Sequence, residues 1–208
     1  PASRWHLAVG ILSYMACPLW VLFLALGTLQ AARTGELGLL GYGLTGTGSA
    51  AHALAALVLT ILALPKLLSL GHVLAPRERR AAFGGTASLL KSAALEQAIW
   101  VLLWPVMTLF AAGAVATTFV GRVVRWDAQV RDDRRVPWRE ACRLQVDTLV
   151  AGGLLAGGLA WAGDPWLALW MAPVALGLLS SPAQSVLTSS ARLGRISQGR
   201  RLFLTVDD

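Results

Sequence analysis

Charge is scarce in this sequence. Only 14% of its residues are Asp, Glu, Lys or Arg, where a soluble domain carries about a quarter. With 56% hydrophobic residues and a mean hydropathy of +0.61, that shortage excludes an ordinary water-soluble fold and places the chain in lipid. Cysteine is scarce too. Cys17 lies in an apolar run and Cys142 in a charged strip, so they belong to different elements and depths, which argues against a disulfide. His6, His52 and His72 are scattered, and no spacing suits a metal. The first apolar run is too long for a secretory signal and lacks a small-residue cleavage pattern. The chain starts at Pro1, not Met, and is expected to be a fragment of a longer one.

Catalytic sets are missing as well. There is no Asp-x-Asp for a metal–nucleotide complex, no Ser/His/Asp set and no carboxylate pair on a soluble face. Asp132 and Asp133 are adjacent, but Arg131, Arg134 and Arg135 surround them, which favours ion pairing over metal binding. Gly41 to Gly46 matches GxGxxG. It sits between two apolar runs rather than in a βαβ unit, so it reads as a flexible loop. The net charge of +7 does not indicate nucleic acid, because the basic residues flank apolar runs. Orientation in a membrane and contact with lipid headgroups explain them first.

What the sequence does have is apolar length. Stretches 5–32, 37–65, 97–121, 148–163 and 165–191 contain no Asp, Glu, Lys or Arg. A spanning helix needs about 20 apolar residues. Four stretches reach that length, and Asp147 and Asp164 at headgroup depth extend the fourth. The segments 1–4, 66–92, 122–147 and 192–208 hold 17 Lys and Arg, against Arg33 alone elsewhere. The positive-inside rule makes those segments cytoplasmic. Stretch 97–121 then begins and ends on one side. It is too short for two ordinary crossings, and Trp104-Pro105 interrupts it.

The expectation is an all-α membrane protein with four transmembrane helices in two hairpins. The spans are about 7–31, 49–70, 147–163 and 166–187, the last two joined through Gly163-Asp164-Pro165. An interfacial or re-entrant segment at 93–120 is broken near Pro105, with a short, tilted hairpin as the alternative, a cytoplasmic loop covers 121–146, and a cytoplasmic tail covers 188–208. Pro18, Pro173 and Pro182 are expected to kink their helices. Gly153 and Gly157 form GxxxG, which lets helices approach closely in lipid. Glu96, beside Gln97, is a candidate for polar channel lining or for headgroup level, because ionisable groups are costly at membrane depth.

One strip stands out. Residues 122–147 carry 12 of the 29 charged side chains, with Trp126, Gln129 and Trp138 among them. A solvated connector and a working loop both fit that composition.

Several segments, taken in order, resemble one family. They include Ser3-Arg4, His6-Leu7, Gly10-Ile11, Ser13-Tyr14 and Pro18-Leu19-Trp20. Further along come Leu64-Pro65-Lys66-Leu67-Leu68, Phe83-Gly84-Gly85, Trp126 with Gln129 and Arg131-Asp132-Asp133, and Trp138-Arg139-Glu140-Ala141. Ser185 to Ser189 and Leu202-Phe203-Leu204-Thr205 complete the set. They are similar to the glucans biosynthesis glucosyltransferase H family, within the cellulose-synthase-like family 2 glycosyltransferases. The resemblance implies synthesis of a β-1,2-glucan backbone from UDP-glucose at the bacterial inner membrane, by a multi-pass protein with a cytoplasmic C-terminus. It implies that this chain supplies channel helices, while the catalytic aspartates lie upstream, so that the chain alone is inactive. The chain itself is expected to bind no cofactor, and a divalent cation with UDP-glucose is expected in the absent catalytic domain. Implied partners are that N-terminal domain, acyl carrier protein, the glucan chain and the lipid bilayer, with no nucleic acid.

Processive members of that class carry Gln-x-x-Arg-Trp. Arg4-Trp5 would need Gln at position 1, where Pro1 stands, so it reads as an interface anchor. By position, the charged strip falls where the gating loop of cellulose synthases folds over the nucleotide, although it lacks that loop's Phe-x-Val-Thr-x-Lys-Gly. Trp126, Gln129, Arg131, Asp132, Asp133 and Arg134 are the candidate nucleotide contacts on this reading. The competing class is a stand-alone small membrane protein, such as a transporter half or a scaffold.

Overall fold

The computed structural model describes residues 2–34, 49–122 and 135–204. Among them are nine helices and no strand. That is what lipid demands of an open chain, because every backbone polar group must be satisfied within its own segment. Helices α1 (Ala2–Thr34), α2 (Ser49–Leu74) and α4 (Thr86–Phe119) are each long and apolar enough to cross a membrane. The short α3 (Arg77–Ala82) links the last two. Helices α5 (Trp138–Leu144) and α6 (Val146–Ala162) meet at 70°, and α7 (Pro165–Leu179) and α8 (Ser181–Thr188) at 56°. Counting each bent pair as one span gives five candidates. Helix α9 (Ala191–Gly199) follows.

The hairpin expected around Gly163-Asp164-Pro165 is present. Gly163 ends α6 in the left-handed region at φ 66°, where a side chain would be strained. Asp164 caps α7, its Oδ1 accepting the Leu167 N–H at 3.0 Å. Pro165 occupies the first helical position, where a missing N–H costs nothing.

Helix α1 packs on α4 and α6, and α7 packs on α4 and α6. Their shared core includes Leu24, Val106, Leu155, Met171 and Leu178. The registers follow from a few contacts. Trp20 and Trp104 meet edge to face with ring centroids 4.5 Å apart, which sets α1 and α4 level at that point. Gly177 lies against the Leu102 carbonyl and the Pro105 ring, Gly152 against Leu178 and Leu179, and Gly158 against Thr28. Helix α6 thus runs with α1 and α4, and α7 runs against them.

This arrangement corrects several expectations. The segment from 97 to 121 contains no break: α4 is one 34-residue helix with Pro105 inside it. At 1.5 Å per residue, Phe119 stands about 22 Å beyond Trp104 and Thr86 about 27 Å before it. The helix runs from one end of the bundle to the other. By length and composition the described residues hold three to five helices capable of crossing, a range that includes the expected four. The expected span 166–187 bends at Ser180, and Pro182 lies in the first turn after that bend. Pro18 and Pro173 lie inside unbroken helices.

The charge asymmetry survives by a different route. One end of the bundle carries Arg33, the end of α4 at Gly121-Arg122, and the Gly163–Asp164 turn. The other carries α3, the first turns of α4, α5, α8 and the tail. Among the described residues, only Arg33 and Arg122 of the Lys and Arg belong to the first end. The strip 122–147 therefore does not sit wholly on one side. Arg122 follows the far end of α4, whereas the N–H of Val136, next to Arg135, donates to Ser189 Oγ at 3.1 Å at the arginine-rich end.

Candidate functional site

Two polar constellations stand out in a mostly apolar molecule. The first lies where α5, α6 and α8 meet. The bends at Gln145 and Ser180 interrupt the helical ladders, and side chains occupy the gap. Thr148 Oγ1 donates to the Gln145 carbonyl at 2.7 Å and lies 2.6 Å from Ser181 Oγ. The Gln145 amide Nε2 donates to Ser185 Oγ. Gln145, Thr148 and Ser181 are all buried, which is tolerated because they pair with one another. Together they hold α5, with Trp138, Arg139, Glu140 and Arg143, against α8. This is the described half of the charged strip.

Gln184 extends the junction to α4. Its Nε2 donates to the Gly177 carbonyl at 2.8 Å, to Ser180 Oγ at 3.0 Å and to the Leu102 carbonyl at 3.3 Å. Proline disturbs the helical bonds of the preceding turn, and Gln184 offers a donor there. The carbonyl that Pro105 leaves without its helical donor is that of Val101, one position before the Leu102 carbonyl that Gln184 reaches. The Oε1 atoms of Gln145 and Gln184 are buried with no partner, so the junction presents two unused acceptors.

The second constellation is a cleft of about 330 Å³ between the end of α2, the start of α4 and the tail. Lys66 and Glu96 form an ion pair across it, with Ser69, Ser92 and Phe203 along its walls. Their side chains are 33% and 46% exposed, so the pair sits at a boundary rather than in a sealed interior. The ammonium donates, the carboxylate accepts, and the phenyl ring offers an apolar face. That set suits a neutral polyhydroxylated ligand better than an ion.

By contrast, the space among α1, α4, α6 and α7 is apolar. A crevice of about 460 Å³ is lined by Trp20, Leu24, Leu109, Leu155 and their neighbours. Thr28 brings a hydroxyl to it, already donated to the Leu24 carbonyl at 2.7 Å.

Of the site residues expected from sequence, Glu96 lines the cleft while Gln97 is exposed outside it. Trp126, Gln129, Arg131, Asp132, Asp133 and Arg134 lie outside the described residues, as does the GxGxxG stretch. Gly153 and Gly157 do not seat a helix of this chain, for a Cβ at either would meet nothing within 4 Å. Their neighbours Gly152 and Gly158 make the close contacts. Among the described residues, no group of three or more His, Cys, Asp or Glu could hold a metal. Sequence reasoning missed the Gln145–Thr148–Ser181–Ser185 junction. Its signal was the run of hydroxyls and one amide, Ser180 to Ser190, directly after an apolar helix.

No family model and no solved structure matches the chain. Curated sequences do. The chain is 36% identical over 217 residues to glucans biosynthesis glucosyltransferase H of Dickeya dadantii, and 33% identical over 217 residues to that of Enterobacter sp.. It is 35% identical over 219 residues to the protein of the same name in Klebsiella pneumoniae subsp. pneumoniae. Each alignment takes in 100% of this chain and 25% of the relative, so the chain spans about a quarter of the length of the curated relatives it matches. Along all of its 208 residues the chain belongs with the glucans biosynthesis glucosyltransferase H family.

Proposed function

We propose that this chain is the membrane part of an inner-membrane glucosyltransferase that builds the β-1,2-glucan backbone from UDP-glucose and passes it across the bilayer. The observation that carries the reading is the alignment of the whole chain with relatives of that name. The long apolar helices support the membrane part of it. The catalytic aspartates and the metal–nucleotide site belong to sequence outside this chain. The part of the charged strip next to α5 is a lid over that site: Arg131, four positions before Arg135, pairs with diphosphate oxygens while water is excluded. Trp126 lies only four positions from Arg122 at the opposite end and is left out of the lid.

The apolar filling among α1, α4, α6 and α7 directs the sugar elsewhere. Glucan hydroxyls need partners throughout their passage, and Thr28 has spent its proton. The route proposed here follows the α2–α4 side, where Lys66, Glu96 and Ser69 line the cleft with donors and acceptors.

The test uses the full-length enzyme in membranes. Arg131→Ala should lower glucan synthesis while insertion is unchanged, and Trp126→Ala should have the smaller effect. For Arg131 the loss should be about ten-fold or more, from the roughly 1.5–3 kcal/mol of a charge-assisted hydrogen bond. Unchanged synthesis in the Arg131 variant would refute the lid. Glu96→Gln and Lys66→Gln should each slow release of glucan, and the swapped pair Lys66→Glu with Glu96→Lys should recover part of it. The purified 208-residue chain should transfer no glucose from UDP-glucose.

A further inference from the structure

The segment 191–204 has a composition unlike any other in the chain. It contains Arg192, Arg195, Arg200 and Arg201 and no acidic residue. Within it, α9 has no buried residue. Leu193 and Ile196, one turn apart, are 40% and 41% exposed. Arg192 and Arg195, also one turn apart, lie on the neighbouring face. An apolar pair flanked by long cationic side chains fits a helix resting at a bilayer surface, with the stems along the acyl boundary and the guanidinium heads among the headgroups.

The segment is fixed at both ends. Before α9, Ser189 Oγ holds Val136. After it, Ser88 Oγ donates to the Arg201 carbonyl, and the Phe203 N–H donates to Ser92 Oγ at 3.0 Å. Arg201 and Phe203 adopt φ of 54° and 57°, conformations that non-glycine residues hold only when their surroundings enforce them. The tail is thereby strapped across two successive turns of α4, and α9 bridges α8 and α4 with its own faces uncovered. It does so at the end of the bundle that also carries Arg77, Arg79 and Arg80.

We infer that α9 docks on an anionic lipid surface, through Leu193 and Ile196 in the acyl boundary and the four arginines on headgroup phosphates. The inference is independent of the lid and of the glucan route. Charge complementarity selects the occupant, because a cationic face without a carboxylate of its own favours a negative membrane over a neutral one.

The test uses full-length protein with other cysteines changed to serine and a small polarity-sensitive dye on Leu193→Cys. The protein is placed in nanodiscs of phosphatidylcholine alone or mixed with phosphatidylglycerol. Shielding of the dye from aqueous iodide should appear in the anionic nanodiscs and weaken with salt. Arg192→Gln with Arg195→Gln should reduce the preference for the anionic bilayer by about 30-fold, at roughly five-fold per arginine. Arg192→Lys with Arg195→Lys should retain it, which separates charge from folding. Equal iodide access in both membranes would overturn the inference. So would equal shielding in both and in detergent, which would mean that α9 is covered by protein.

Discussion

Replacing Gly177 by alanine pits two effects of opposite sign against each other. Helix propensity alone predicts that Gly→Ala within a helix stabilises by about 1 kcal/mol. The geometry predicts the reverse. A Cβ on residue 177 would lie 2.5 Å from the Leu102 carbonyl oxygen, 3.3 Å from its carbon and 3.2 Å from Pro105 Cγ. Two of those three atoms are backbone, and the third belongs to a rigid ring, so none can swing away as a flexible side chain would. Relief requires α7 and α4 to separate by several tenths of an ångström through a packed core. Overpacking of this kind costs about 1–3 kcal/mol. Separation also lengthens the Gln184 bond to Leu102, already 3.3 Å, with a further loss of about 0.5–1.5 kcal/mol. After subtracting the propensity gain, a net destabilisation of about 1–3 kcal/mol remains. The assay is thermal or denaturant unfolding of the 208-residue chain in detergent, followed by tryptophan fluorescence. Gly153→Ala and Gly157→Ala are the controls. Neither meets an atom within 4 Å, and each should leave stability unchanged or raise it by up to about 1 kcal/mol. A Gly177→Ala protein as stable as its parent would refute the close approach of α7 to α4. Destabilisation by both controls would refute the assignment of the packing face.

Thr148→Val removes one partner from a buried pair and strands the Ser181 hydroxyl. Equilibrium unfolding should show a loss of about 1–3 kcal/mol, and adding Ser181→Ala should recover part of it, because removing both partners costs less than orphaning one. Additive losses would mean that the two hydroxyls are not coupled. Asp164→Ala should destabilise by about 1 kcal/mol through loss of the α7 cap, while Asp164→Asn keeps most of it. A loss as large in the asparagine variant would point to charge rather than capping.

The α6–α7 hairpin was legible because its signals are local: a glycine stop, an aspartate cap and a proline start occupy consecutive positions. The continuity of α4 was not. A proline inside an apolar run carries a local penalty, and the residues packed around it, Gly177 and Gln184, lie 72 and 79 positions away in the chain. The packing face of α6 was hidden for a related reason. Small residues occupy 151–153 and 156–158, so several small-xxx-small readings exist on a helix that is apolar all round, and contact with Thr28 and Leu178 chooses among them. Charge counting separated the ends of the apolar runs into a basic and a charge-poor group but assigned the strip 122–147 to one side. A count over a segment cannot register that Arg122 and Arg135 belong to opposite ends.

Gln184 joins parts of the molecule that would otherwise move separately. One amide group serves a carbonyl of α4 one turn from Pro105, a carbonyl of α7 and a hydroxyl at the α8 bend. The next residue, Ser185, receives Gln145, and Ser189 holds the approach to α5. Contacts from α4, α7 and α8 thus converge on one side chain, and its neighbours Ser185 and Ser189 carry the contacts to Gln145 and Val136 that seat the helix bearing Trp138. The apolar bundle and the described half of the charged strip are therefore joined through a single eight-residue helix, α8, so whatever unseats α8 loosens both.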